Sequence, residues 1–230
     1  MYFLCQQDIQ QKYYNCRIVM PLIENIRLEA HARLGIWHIT EDEQFFLPHV
    51  SLSREITHPH KRLQHIAGRY LLTRLCPSFP VEQIAILPSR KPVVPGHHYF
   101  FSIAHSRDYV AALISDHVPV GVDIEHKNPV VERIAPKFLS PDELSWLEER
   151  RRLLQLTLCW AAKEAVYKWY GLGGIDFRRD IRLQPFHVGP PGEIIARLVP
   201  LQTELMIRYQ IQRSYCVAWT LGSGKELYKI

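Results

Sequence analysis

Residues 118–125, V-P-V-G-V-D-I-E, read as a strand with one buried face, because Val120, Val122 and Ile124 alternate with Gly121, Asp123 and Glu125. Asp123 and Glu125 therefore project from the same side, their Cα atoms roughly 6.5–7 Å apart at about 3.3 Å of rise per residue. Two carboxylates that close repel unless a positive charge lies between them, and a divalent cation meets that need. Gly121, one step earlier on the same face, is expected to leave an open space where a bulky ligand approaches.

The decisive partner of this strand is W-A-A-K-E-A-V-Y-K-W-Y-G, residues 160–171. Its composition is helical, it stops at Gly171, and i, i+4 spacing puts Trp160, Glu164 and Lys168 on one face. This helix supplies a third carboxylate and a cation together. Asp123, Glu125 and Glu164 form an all-oxygen donor set, which suits Mg²⁺ with water and substrate phosphate completing the shell. A lysine one turn away then faces a phosphate. Taken singly, each stretch has an ordinary explanation: a half-exposed sheet member, and a solvated Glu–Lys pair worth a few tenths of a kcal/mol. The combination is what points to a site.

The 230 residues, 47% hydrophobic and 22% charged, are enough for a full core in one domain or two small ones. No apolar run approaches the ~18 residues of a membrane span, and M-Y-F-L-C-Q-Q-D lacks the basic start and apolar core of a signal peptide. The expectation is a soluble cytoplasmic protein. Five cysteines, odd in number and without a C-x-x-C, argue against a disulfide framework or a zinc site. A net charge of +5 fits an anionic partner, but the basic residues are dispersed in pairs and no nucleic-acid signature occurs, so neither nucleic acid nor membrane is expected.

Residues 1–19 are polar and poorly periodic and read as a loose or spurious arm; structured protein is expected from Met20 onward. Residues 32–39 alternate like a first strand, and 41–49 read as an acidic turn or short helix. A helix is expected over Ser53–Leu75, closed by Pro77, with Lys61, Arg62, Arg69 and Arg74 as its basic residues. L-P-S-R-K-P-V-V-P, residues 87–95, places Arg90 and Lys91 between rigid turn residues, as a pre-shaped anion clamp does. Strands are expected at 99–106, 107–114 and 213–221. His58, His60, His97 and His98 read as surface, lacking a matched third ligand. Ser140, Pro141 and Glu143 carry a helix start, and a capping box explains Glu143. Residues 107–114 and 213–221 share a pattern, a weak internal echo of two similar halves joined near His117.

G-V-D-I-E followed by W-x-x-K-E-x-x-x-K resembles the paired signature of the 4′-phosphopantetheinyl transferases, specifically the long, monomeric, Sfp-type branch. The resemblance implies an α+β fold of two similar subdomains related by a pseudo-two-fold axis, each a small antiparallel sheet packed with helices, here 20–117 and 118–230. It implies an Mg²⁺-dependent enzyme, a monomer, that moves the 4′-phosphopantetheine group from coenzyme A to a serine of an apo acyl or peptidyl carrier protein, releasing adenosine 3′,5′-bisphosphate. Residue by residue, it implies that Asp123, Glu125 and Glu164 hold the metal. Asp123, Glu164 and Lys168 serve catalysis, Glu164 as the candidate base. Coenzyme A falls to Arg69, Arg90, Lys91, Pro92, His105, Ser106 and Lys168.

Several positions depart from the family pattern. G-R-Y-L-L around Arg69 is a loose match; Lys91, Pro92 and Pro95 fit G-K-P-x-x-P, but Arg90 replaces its glycine; Ser102 and Ala104 depart from F-N-I-S-H-S, while His105 and Ser106 are retained. Phe138, Ser140 and Glu143 resemble F-F-S-x-x-E. Two other readings stand beside this one. Another Mg²⁺-dependent phosphate-ester enzyme, such as a nucleotide hydrolase, is permitted by the carboxylates alone; a non-catalytic module binding coenzyme A or a carrier protein would not need all three.

Overall fold

The computed structural model describes residues 22–29, 31–52, 55–96 and 98–222. The arm expected over 1–19, and His97, lie outside the described residues. Strands β1 (Leu22–Arg27) and β2 (Arg33–His38) form an antiparallel hairpin, followed by a single turn of helix, α1 (Glu43–Phe46), and the long helix α2 (Pro59–Leu75). Short strands β3 (Ala85–Ile86) and β4 (Pro92–Val93) frame the Pro-rich loop. Strands β5 (Phe100–Ser106) and β6 (Tyr109–Ser115) then complete a sheet of order β1-β2-β6-β5. The strand expected at 32–39 is thus the second described strand, not the first.

After β7 (Val120–Glu125) come helices α3 (Val130–Phe138), α4 (Pro141–Ser145), α5 (Arg152–Tyr170) and α6 (Phe177–Asp180). Strands β8 (Ile181–Leu183), β9 (Gly192–Leu198), β10 (Thr203–Ile211) and β11 (Cys216–Leu221) follow, giving a second antiparallel sheet of order β7-β11-β10-β9-β8. The fold is therefore α+β, with antiparallel sheets packed by helices, as expected.

Helix α2 starts at Pro59, not Ser53. Proline at the first helical position has no N–H to lose, and it pushes the preceding residue out of helical conformation; His58 is extended and its ring accepts from Lys61 N at 3.4 Å. The buried residues of α2, including Ile66, Leu71, Leu72 and Leu75, cover one face of the first sheet. Helix α5 covers the second sheet in the same way, burying Leu158, Ala162 and Val166. A third cluster joins the sheets: Leu34, Ile36 and Leu113 from the first pack on Val122, Ile124 and Trp219 from the second. Each fully buried aliphatic side chain contributes about 1.5–3 kcal/mol, so the two halves hold one another firmly.

Polar contacts fix how the halves meet. β7 is an edge strand, and its Val122 N–H donates to Ser102 Oγ on β5 at 3.1 Å, where a ladder partner is missing. Ser102, a departure from the family pattern, is thereby a seam residue.

The core of the second half also corrects the reading of Glu143. Its capping box with Ser140 is present. The same carboxylate also accepts from Leu183 N at 2.9 Å and pairs with Lys163 Nζ at 2.7 Å. Lys163, fully buried, donates further to the carbonyls of Phe138, Phe177 and Ile181 at 2.8, 2.9 and 2.7 Å. A local sequence motif accounts for the cap; the long-range role appears only once α5 brings Lys163 to the carboxylate.

Candidate active site

β7 alternates as read. Val120, Val122 and Ile124 enter the joint between the sheets, while Gly121, Asp123 and Glu125 face α5. The space at Gly121 is not open. A Cβ there would lie 2.0 Å from the Ala165 carbonyl oxygen and 2.7 Å from Trp169 N, so the α5 backbone fills the gap expected for a ligand. The glycine's role is this close approach of helix to strand, and the approach brings the two motifs together.

On α5, Trp160, Glu164 and Lys168 fall on one face, and that face meets β7. Lys168 Nζ donates to Asp123 Oδ1 at 2.5 Å, and Trp160 Nε1 donates to Glu125 Oε1 at 3.2 Å. The other oxygen of Glu125 accepts from Ser106 Oγ at 3.1 Å. Glu164 lines a cavity of about 370 Å³ together with Lys168, Tyr167, Arg90, Lys91 and Pro92. This cavity lies between the halves: the Pro-rich loop of the first forms one wall, α5 of the second the other.

The electrostatics are those of a site short of positive charge. Burial pushes the Asp123 carboxyl above its ordinary value, against the opposing pull of Lys168. Glu125 is pushed up to about 7 by burial and then by Asp123, with Ser106, Trp160 and Lys168 pulling it down. Glu164 is also raised to about 7, by burial first, with Lys168 lowering it and Asp123 raising it. Asp123 Oδ2 is buried and has no hydrogen-bond partner. An unsatisfied buried carboxylate oxygen, on the same strand–helix seam as two carboxyls whose ionisation burial opposes, has the donor chemistry a hard cation satisfies. Among the described residues, however, no three His, Cys, Asp or Glu side chains converge into a ready metal cluster; Lys168 occupies Asp123 Oδ1, and Glu125 is held by Trp160 and Ser106.

The remaining expected site residues separate. Lys91 reaches across Gly171, where a Cβ would meet its side chain at 2.2 Å, and donates to the Trp169 carbonyl at 3.2 Å, near the C-terminus of α5. Burial lowers its pKa to about 8. His105 keeps an exposed edge, yet the protein packed around the rest of its ring lowers its pKa, with Lys168 as the next cause. Ser106 is buried and serves Glu125 and His126. Arg69 is buried on α2 beside His65, at 3.1 Å, and does not line the cavity. Trp160, Tyr167, Lys163, His126 and Ser102 carry no assigned role in the sequence reading. Only Trp160 is detectable there, one turn before Glu164 on the same helical face.

Arg90, standing where the family pattern has glycine, adopts φ 68°, the left-handed conformation a glycine takes freely. The strain is accepted at a cost of about 1 kcal/mol or more. Arg90→Gly is therefore expected to leave stability unchanged or raise it by up to about 1 kcal/mol, the relief being partly offset by the freer unfolded chain. Arg90→Val is expected to destabilise, since a β-branched residue tolerates positive φ least. Urea unfolding of the two variants checks this, and a glycine variant less stable than the valine one would contradict it.

Residues 119–220 match the family model described as the 4′-phosphopantetheinyl transferase superfamily. The chain is 39% identical over 105 residues to the 4′-phosphopantetheinyl transferase psf-1 of Bacillus pumilus, covering 42% of this chain and 43% of that protein. It is 31% identical over 157 residues to enterobactin synthase component D of Salmonella typhi, covering 64% and 66%. With the 4′-phosphopantetheinyl transferase AcpT of Salmonella typhimurium it shares 32% identity over 116 residues, 48% and 60%. The matches thus span from under half to about two thirds of these relatives' lengths. Every motif residue from Asp123 to Lys168 lies inside the matched family segment.

Proposed function

The chain belongs to the 4′-phosphopantetheinyl transferase superfamily through residues 119–220, and from that premise we propose that it transfers the 4′-phosphopantetheine group of coenzyme A to a serine of an apo acyl or peptidyl carrier protein. The observation that carries the reading is one juxtaposition. Asp123 and Glu125 on β7 face Lys168 and Trp160 of α5, and the Glu164 of that helix lines, with Lys168, a cavity walled on its other side by Arg90, Lys91 and Pro92. A carboxylate, Glu164, and three cations, Arg90, Lys91 and Lys168, lining one cavity suit a substrate with a diphosphate and a separate phosphate.

On this reading coenzyme A lies between the halves, which we take to be two subdomains meeting near His117. Its 3′-phosphate is met by Lys91 and His105, with Arg69 as a more distant contributor, and Arg90 and Pro92 shape the rim. Mg²⁺ held by Asp123, Glu125 and Glu164 would neutralise the diphosphate. Lys168, already in the site, adds positive charge where the bond to the leaving adenosine 3′,5′-bisphosphate breaks. The carrier serine attacks the β-phosphorus and its proton goes to Glu164, the carboxylate that lines the cavity beside Lys168. We place the enzyme in the cytoplasm as a monomer; no helix among the described residues is long and apolar enough to cross a membrane.

Incubating the protein with coenzyme A, Mg²⁺ and a panel of apo carrier proteins, then weighing the carriers, tests the reading. One carrier gaining the mass of phosphopantetheine is expected. Turnover of a nucleotide with no carrier modified would favour a nucleotide hydrolase instead.

Lys91 supplies a pH-dependent prediction. Its pKa, about 8 in the fold against an ordinary 10.5, means that the unfolded chain holds more protons between those values. Stability from this group therefore rises with pH across that window. Ligand binding goes the other way, because the ammonium that meets a phosphate is lost above about 8. Coenzyme A affinity is expected to fall between pH 7 and 9, and Lys91→Met to weaken binding at pH 7 by roughly tenfold or more while flattening that slope. Calorimetric titration at several pH values measures both; an unchanged slope in the variant would remove Lys91 from the phosphate site.

A further inference from the structure

His126 follows Glu125 directly, carries no role in the reading above, and sits in a chain of hydrogen bonds that ends on a site carboxylate. Its Nδ1 lies 2.7 Å from Ser106 Oγ, and Ser106 Oγ lies 3.1 Å from Glu125 Oε2. The opposite oxygen of Glu125 accepts from Trp160 Nε1. We propose that His126 is a positioning residue for Glu125, acting through Ser106 as an Nδ1-protonated imidazole.

The available hydrogens fix the direction of these bonds. A serine hydroxyl carries one, and Glu125, in the ionised form that a cation would bind, only accepts. Ser106 therefore spends its hydrogen on Glu125, and the shorter bond to His126 needs a hydrogen on Nδ1. The order is then His126 Nδ1–H to Ser106 Oγ, and Ser106 O–H to Glu125 Oε2. Bonds aligned head to tail polarise one another, so donation by the imidazole strengthens the hold of Ser106 on the carboxylate. Trp160 fixes the second oxygen from the facing helix, so Glu125 is clamped from both halves of the molecule: β5 through Ser106, α5 through Trp160. His126 is the outermost member of that clamp and half-buried. The tautomer leaves Nε2 bare, on a residue that lines a cavity of about 170 Å³ shared with Glu125 and Trp160. It also explains why Ser106 has no hydrogen left for a phosphate.

Asparagine at this position puts an amide nitrogen near the place of Nδ1, glutamine near that of Nε2, and alanine removes both. This difference separates positioning from mere packing. The clamp itself is a property of the structure, while its consequence for Mg²⁺ and rate rests on the proposed function.

In the ¹⁵N-labelled full chain, long-range proton–nitrogen spectra are expected to show His126 protonated on Nδ1; protonation on Nε2 alone would overturn the proposal. The Trp160 indole N–H resonance, which reports on Glu125 from its other side, is expected to shift in His126→Ala and His126→Gln but stay close to the parent position in His126→Asn. With Mg²⁺ titrated in the presence of coenzyme A, the alanine and glutamine variants are expected to lose roughly 10- to 100-fold in affinity, the range for groups that orient a ligand, and asparagine to recover most of it. Equal loss in all three, or an indole signal that none of them moves, would reduce His126 to a packing residue. An inactive protein with the tautomer and the indole pattern intact would count against the proposed function and leave the clamp standing.

Discussion

Lys163→Ala is expected to destabilise the fold by roughly 3–5 kcal/mol, the loss typical of removing one partner from a buried ion pair. Lys163 is fully buried and its ammonium is the common donor to Glu143 and to three carbonyls from α3, α6 and β8. Without it, those acceptors lose a donor that no solvent replaces, and Glu143 keeps a buried charge with only the Ser140 and Leu183 amides to hold it. Burial lowers the pKa of Lys163, with Glu143 opposing that shift. The pair is therefore held by its partners, not by the solvent. Denaturant unfolding at pH 7 measures the effect. A loss below about 1 kcal/mol would mean the helices close around the vacancy and that Lys163 is dispensable to the second half.

Glu164→Gln is expected to lower the transfer rate by roughly 10²–10⁴, the range for losing a positioned base, with coenzyme A and Mg²⁺ still binding within about tenfold. The amide keeps an oxygen for coordination and cannot take a proton at neutral pH. Asp123→Ala is expected to abolish turnover while leaving a folded protein. Asp123 Oδ2 has no protein partner to lose, and the Lys168 left behind is a quarter exposed and can turn to water. The two variants test different parts of the mechanism. Near-complete rescue of the glutamine variant by high Mg²⁺ would make Glu164 a ligand and not the base. Undiminished activity of the alanine variant, or of the parent protein in excess chelator, would refute the metal mechanism.

The site was legible in the sequence to the extent that it is built from local periodicity. Two-residue alternation put Asp123 and Glu125 on one face of β7, and four-residue spacing put Trp160, Glu164 and Lys168 on one face of α5. Both survive folding because backbone geometry alone sets them. The same local logic found the capping box at Ser140 and the clamp-like loop at Arg90 and Lys91. It placed the start of α2 too early, at Ser53, because apolar spacing outweighed the veto of Pro59 on the residue before it.

Local backbone geometry, readable from residue order, decides which side chains share a face, and with them the donor chemistry of the site. Which faces meet was decided by the tertiary structure. Gly121 reads as empty space until the Ala165 carbonyl of α5 is laid on it. Glu143 reads as a cap until Lys163 arrives from another helix, and Ser106 reads as a phosphate donor until Glu125 takes its one hydrogen. Arg69 and His105 read as neighbours of Lys91, yet neither lines the cavity that Lys91 does. For Gly121, Glu143 and Ser106 the deciding partner is 19 to 44 positions away, on a different element. Side-chain direction follows from the local backbone, whereas a partner across the fold is selected by burial and hydrogen-bond satisfaction summed over the whole chain.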